Sequence, residues 1–242
     1  MTQNVTTLRA IVEGLLGYGK ISILGITGQA GAGKSTVVAS RVTRIAEQNN
    51  FPVARLELDY FFKLSSRARR DWIAEGEKIS KAEGDFRKDQ VNWWDFAKTE
   101  AVLQSLKEGK QVSLSNVYNR NDNGELTGEV KIEPAEIGML IIFEGVAVCH
   151  LKLIDALIYV HAPSSVRSNR IFARDRARRS KEENMRRFML TESFEARYFR
   201  TYWNRIQYFL DNSIGIDEGR EDELKILQPM RYEDIFSNVF LD

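Results

Sequence analysis

Residues Gly28-Gln29-Ala30-Gly31-Ala32-Gly33-Lys34-Ser35-Thr36 follow the spacing G-x-x-x-x-G-K-[ST], and each fixed position has a task. Glycines let the backbone turn tightly and press successive N–H groups against phosphate oxygens. Lys34 adds a mobile point charge near the β- and γ-phosphates, and Ser35 offers a hydroxyl to Mg²⁺. A helix opening at this point turns its positive end toward the same anion. The chemistry is capture of a nucleoside triphosphate, which makes ATP and Mg²⁺ the expected cofactors. A glycine-rich surface turn can match so short a pattern, so its surroundings decide. They fit: residues 20 to 27 are an apolar, β-branched run of strand length, and Val37, Val38, Val42, Ile45 and Ala46 continue at helical spacing.

Phosphoryl transfer needs a positioned acceptor and positive charge on the migrating group. Asp59, directly after the apolar run Val53 to Leu58, is the candidate general base for an acceptor hydroxyl; a helix N-cap or a Mg²⁺-coordinating carboxylate is the alternative. Glu144 closes the most apolar run of the chain, where a carboxylate is costly unless it meets a cation, water or a donor. Its expected place is the Mg²⁺ shell, with a strand-end cap as the plain alternative. Between residues 167 and 206, Lys and Arg well outnumber Asp and Glu. Within that stretch Arg167, Arg170, Arg174 and Arg178 share one helical face with no acid interleaved. Such a stripe asks for an anion, either the triphosphate under a closing lid or a nucleic-acid backbone, and the lid is favoured because the chain already demands a phosphate ligand. Tyr118 and Arg120 precede the turn Asn121-Asp122-Asn123-Gly124 and either contact an acceptor substrate or merely flank a hairpin. Trp72, Trp93 and Trp94 suit core or stacking, with core the default. Cys149 and His161 read as packing residues.

The elements that must position these groups alternate. Leu8, Ile11, Val12, Leu15 and Leu16 predict an amphipathic helix ended by Gly17. Strands are expected over residues 20–27, 53–58, 139–144 and 156–160, the last two as buried parallel strands. Residues 64 to 92 are polar with little periodicity and read as an irregular or partly helical excursion. A helix is expected from Trp93 to Leu106, closed by Gly109, and a small β-ribbon from Gln111 to Ser115 and from Glu129 to Ile132. The resulting fold class is α/β, a doubly wound, mostly parallel sheet with ligands beyond the carboxyl ends of its strands. One domain is expected over residues 1–242, with an N-terminal helix in 1–18, a core over 20–212, a helical lid around 165–185 and a tail over 213–242.

Composition bounds the partners. The 242 residues carry a net charge of +1, one cysteine and two histidines. The balance makes no whole-molecule case for nucleic acid or membrane, and no internal disulfide or zinc cluster can form. No run approaches a membrane span and the N-terminus lacks a signal-like core, so a soluble cytoplasmic protein is expected. The sequence does not give the oligomeric state and leaves a homo-oligomer open.

With these residues placed, the chain resembles the P-loop kinase family of uridine/cytidine kinases, phosphoribulokinase and bacterial pantothenate kinase. The likeness runs in order from residue 20 to 212: the phosphate loop, Leu58-Asp59-Tyr60-Phe61-Phe62-Lys63, Trp94-Asp95-Phe96, Gly109-Lys110, Val117-Tyr118-Asn119-Arg120, Ile141-Ile142-Phe143-Glu144-Gly145-Val146, and Arg170-Ile171-Phe172-Ala173-Arg174-Asp175 with Arg178 and Arg179. The resemblance implies a Mg-ATP-dependent kinase of a small hydroxyl-bearing acceptor, a nucleoside or sugar-like alcohol. It implies Asp59 as base, Arg170, Arg174 and Arg178 as lid arginines on the ATP phosphates, and Tyr118 and Arg120 as acceptor contacts. The chain departs from uridine kinases in lacking their Asp-His-Pro segment; residues 89–95 stand there, which argues against pyrimidine-nucleoside specificity. Its acidic tail has no counterpart. The contrary reading is a nucleotide-regulated nucleic-acid-binding NTPase, with a kinase of a modified nucleotide within a polynucleotide between the two.

Overall fold

The apolar runs of the sequence become the middle of one sheet in the computed structural model, which describes residues 7–176, 180–213, 226–227 and 229–236. The Thr7 hydroxyl accepts from the Ala10 N–H and starts α1 (Leu8–Leu15), whose Leu8, Ile11, Val12 and Leu15 are buried on the sheet. β1 (Ile21–Thr27) leads into the phosphate loop. The helix beyond it opens as a π-helical turn over Lys34–Ala39, with both Val37 and Val38 N–H groups directed at the Gly33 carbonyl, before continuing as α2 (Ser40–Gln48).

β2 (Val53–Glu57) ends one residue short of the expected boundary. Leu58 and Phe61 are both buried, and a 3₁₀ turn over Leu58–Phe61 is what lets them point inward together, so Asp59 lies on the turn rather than at the strand tip. Residues 64 to 92 are more regular than expected. They form α3 (Ser66–Ile79) and α4 (Lys81–Lys88), capped by the Ser65 and Ser80 hydroxyls. The buried residue of each is a glycine, Gly76 and Gly84, so close helix approach replaces the apolar stripe that periodicity looks for. Gln90–Trp93 is a separate 3₁₀ turn, and α5 (Phe96–Lys107) starts later than expected, where the Asp95 carboxylate accepts from the Lys98 N–H.

β3 (Val112–Asn119) and β4 (Glu125–Ile132) form the two-stranded antiparallel ribbon, longer on both sides than the sequence suggests. β5 (Met139–Glu144), β6 (Ala156–His161), α6 (Ser164–Asp175), α7 (Lys181–Tyr202) and β7 (Tyr208–Asp211) complete the alternation. Beyond residue 212, β8 (Ile226–Leu227) pairs antiparallel with β7, and Phe236 of α8 (Tyr232–Phe236) stacks on Phe199. The acidic part of the tail lies outside the described residues.

The sheet order is β2-β5-β1-β6-β7-β8, parallel except at its last pair. From β1 the chain turns to one side of the sheet, and from β6 to the other, so the loops after these neighbours diverge and open a crevice. Alternate residues feed two cores: Ile23, Ile141, Phe143, Leu157 and Tyr159 face α5 and α7, while Leu24, Ile26, Leu140, Ile142 and Val160 face α1 and α2. Trp94 belongs to the first core and Cys149 is buried there, its thiol pushed up to about 12 by desolvation. Among the described residues no helix is long and apolar enough to cross a membrane. Leu103→Ala, which empties a fully buried site on α5, is expected to lower the stability measured by urea unfolding by about 2–5 kcal/mol.

Candidate active site

The phosphate loop leaves β1 through glycines at positive φ, Gly28 at 138° and Gly33 at 94°. A Cβ on Gly28 would sit 2.4 Å from the Val160 carbonyl oxygen, and one on Gly33 would sit 2.2 Å from the Asn212 side-chain nitrogen. No other residue fits either place. Lys34 Nζ folds back to donate to the carbonyls of Gly28 at 2.8 Å and Gln29 at 3.0 Å. Burial pushes its pKa down, while Glu195, Glu144 and Asp59 pull it back up.

The loop is gripped from the helices after β6. The Ala30 N–H donates to Glu195 Oε1 at 2.8 Å, and its carbonyl accepts from Arg167 at 3.4 Å. Arg167 is buried, paired with Glu192, and donates to the Ala162 carbonyl at 3.0 Å. Arg170 donates to the Gly31 and Ala32 carbonyls at 3.4 Å and to that of Asn212 at 3.0 Å, and the Asn212 amide closes on Ala32 at 2.7 Å. Arg174 forms a two-point pair with the adjacent Asp175. The arginine stripe is therefore not unrelieved: the acid for Arg167 comes from α7, and Arg174 uses its neighbour. Arg178 lies outside the described residues.

A cavity of about 660 Å³ opens above the loop, lined by Lys34, Ser35 and Thr36, by Glu57 and Asp59 after β2, by Glu144 ending β5, and by Arg120, Arg170 and Arg174. Glu144 Oε1 accepts from Arg55 at 2.7 Å, whereas its Oε2 is buried with no hydrogen-bond partner among the described residues. That orphaned oxygen, on a cavity that Ser35 also lines, fits a Mg²⁺ completed by phosphate oxygens. No group of three or more acidic, histidine or cysteine side chains able to hold a metal alone exists among the described residues. Desolvation raises the pKa of Glu57 and of Asp59, opposed at Asp59 by Arg120, Arg69 and Lys34.

A second cavity, of about 300 Å³, adjoins the first and shares Ala30, Asp59, Arg120, Ile171 and Arg174 with it. Tyr118, Arg69 and Arg187 line this second space and not the first. Tyr118 and Arg120 thus line the same space as Asp59, while Asn119 between them serves the hairpin, its side chain accepting from the Asn121 N–H. Sequence reasoning missed Glu195, Asn212, Arg55 and Arg69. Glu195 had a signal: Phe188, Glu192, Glu195 and Phe199 follow one helical stripe, and acids in an apolar stripe are buried acids.

A glycine-built phosphate cradle at the carboxyl end of a central parallel strand, facing a carboxylate across a cavity, defines a P-loop phosphotransferase. Residues 23–212 match the model of the Phosphoribulokinase / Uridine kinase family, and the chain belongs to that family. It is an ATP-dependent kinase. No curated protein sequence matches the chain significantly. Among solved structures it is similar to a candidate fructose transport system kinase of Silicibacter sp. TM1040, at 17% identity and TM-score 0.61, over 81% of this chain and 95% of that one. It is similar to phosphoribulokinase of Rhodobacter sphaeroides at 16% identity and TM-score 0.57, over 80% and 70%. D-glycerate 3-kinase of Cryptococcus neoformans gives 10% and 0.54, over 84% and 91%. At these identities the likeness is one of fold.

Burial raises the Glu195 pKa to about 7 from an ordinary 4.5, so the folded protein holds a proton that the unfolded chain releases. The stability from this group is full below pH 4.5 and lost as pH rises through 7. Urea unfolding of the protein and of Glu195→Gln across this range should show the unsubstituted protein losing stability relative to the variant; parallel curves would remove the assignment.

Proposed function

We propose that the chain transfers the γ-phosphate of Mg-ATP to a hydroxyl of a small acceptor, a nucleoside or sugar-like alcohol, with Asp59 as general base. The observation that carries this reading is that Asp59 is the carboxylate common to both cavities, one floored by the phosphate loop and one not. A donor in the first and an acceptor in the second would meet at its side chain. The acceptor oxygen forms its bond to the γ-phosphorus as the bond to the ADP oxygen breaks, and the acceptor proton passes to Asp59. Lys34 gives up its two loop carbonyls to follow the phosphates, and Arg170 and Arg174 place positive charge where the transferring group becomes most negative. Arg178 belongs to the same lid set by sequence alone. Bound Mg²⁺ would neutralise phosphate charge, held through Ser35 and Glu144.

We place the kinase unit at residues 20–212, with α6 and the start of α7 as its lid, and the protein in a reducing cytoplasm on its single buried cysteine. The nucleic-acid alternative loses its main support, because Arg167 is buried and Arg170 is turned onto the loop carbonyls.

Asp59→Asn should lower acceptor-dependent ADP release by about 10²- to 10⁴-fold while nucleotide affinity, read by titration of an ATP analogue, stays within a few fold. Because desolvation raises the Asp59 pKa and only the ionised form accepts a proton, kcat/KM should fall on the acidic side of a profile whose limb lies above the ordinary carboxylate range. Undiminished turnover in Asp59→Asn would exclude it as the base.

A further inference from the structure

Four guanidiniums line the second cavity, Arg69, Arg120, Arg174 and Arg187, against two carboxylates, Asp59 and Asp175. Arg174 and Asp175 neutralise each other at 2.8 Å, and Arg120 approaches Asp59 at 3.9 Å. Arg187 lies 3.3 Å from Glu183 on its own helix.

Arg69 is held differently. Its guanidinium lies 4.0 Å from the centre of the Phe62 ring and 4.7 Å from that of Trp93, two ring contacts that restrain it. Its Nη1 is buried and makes no hydrogen bond among the described residues. Desolvation pushes its pKa down, with Asp59 the main opposing charge. A cation fixed away from water with an N–H unpaired is unfavourable by itself, and an anion arriving at that N–H removes the penalty. Neither Arg69 nor Arg187 lines the cavity over the phosphate loop, so the donor triphosphate does not account for them; Arg69 stands between the second cavity and a smaller apolar one beside Trp72, Phe86 and Trp93.

We infer that the acceptor carries an anionic group, a phosphate ester or a carboxylate, bound by Arg69 together with Arg187 and Arg120 while its hydroxyl faces Asp59. This rests on the kinase reading above and narrows it: a neutral nucleoside or sugar leaves the buried face of Arg69 without a partner. The two aromatic contacts make Arg69 a preformed binding group, because little side-chain freedom remains to be lost on binding.

Inorganic phosphate, titrated by calorimetry into protein already saturated with a non-hydrolysable ATP analogue, reads the anion site with the donor cavity filled. Saturable binding is expected, weakened about ten-fold or more in Arg69→Gln and partly restored in Arg69→Lys, with analogue affinity unchanged in both as the check on folding. Phosphate that fails to bind the loaded protein, or binds Arg69→Gln equally well, overturns the inference. A turnover screen of matched acceptors, a sugar against its phosphate ester and a polyol against its sugar acid, should favour the anionic member by about 100-fold in kcat/KM, with the preference lost in Arg69→Gln. Preference for neutral members overturns the anionic acceptor and leaves the kinase reading standing. ADP release with no member of any pair counts against the kinase reading instead, and the phosphate titration then still decides the anion site.

Discussion

The backbone of one residue, Ala30, is held on both sides by buried ionisable side chains: its N–H by Glu195 and its carbonyl by Arg167. Neither charge would be tolerable alone in such a place. Arg167 is balanced by Glu192, Glu195 lies in the field of Lys34 and Arg167, and Lys34 is held by its own loop carbonyls. The shape of the phosphate loop, the seat of α7 and the charge state of Lys34 are thus one problem with one solution. Removing any member leaves another buried without compensation.

The carboxylates facing the loop are placed by apolar packing rather than by charge. Leu58 and Phe61 are anchors on either side of Asp59, and the turn that buries both leaves its carboxylate over the cavity. Glu144 is carried on β5, every residue of which is buried, and Arg55 from the neighbouring strand satisfies one of its oxygens. Both acids stand where desolvation is costly because the hydrophobic core extends to their very next neighbours.

How much of this could be read from the chain follows the range of each interaction. The phosphate loop, the strands around it and Glu144 at its strand end were legible, since glycine geometry and strand-end position are local properties; Asp59, read as a strand end, lies on the turn beyond it. The α3–α4 pair was not, because glycine contact leaves no apolar period. The arginine stripe was read as uncompensated, because the acid that compensates Arg167 is Glu192, on the following helix and beyond any local spacing rule. Arg69 stood unnoticed in a basic run; only the fold brings Phe62 and Trp93 against it.

The two cavities differ in what they are made of. The first is floored largely by main-chain groups shaped by glycine, while the second is walled by long side chains drawn from α3, the β-ribbon and α7. A surface made of backbone is indifferent to most substitutions that preserve its path, but one made of side chains is rewritten by a single codon. Change at positions 69, 118 or 187 can therefore alter the chemistry of the outer space while the inner one stays as it is, and the two halves of the crevice are free to drift at different rates.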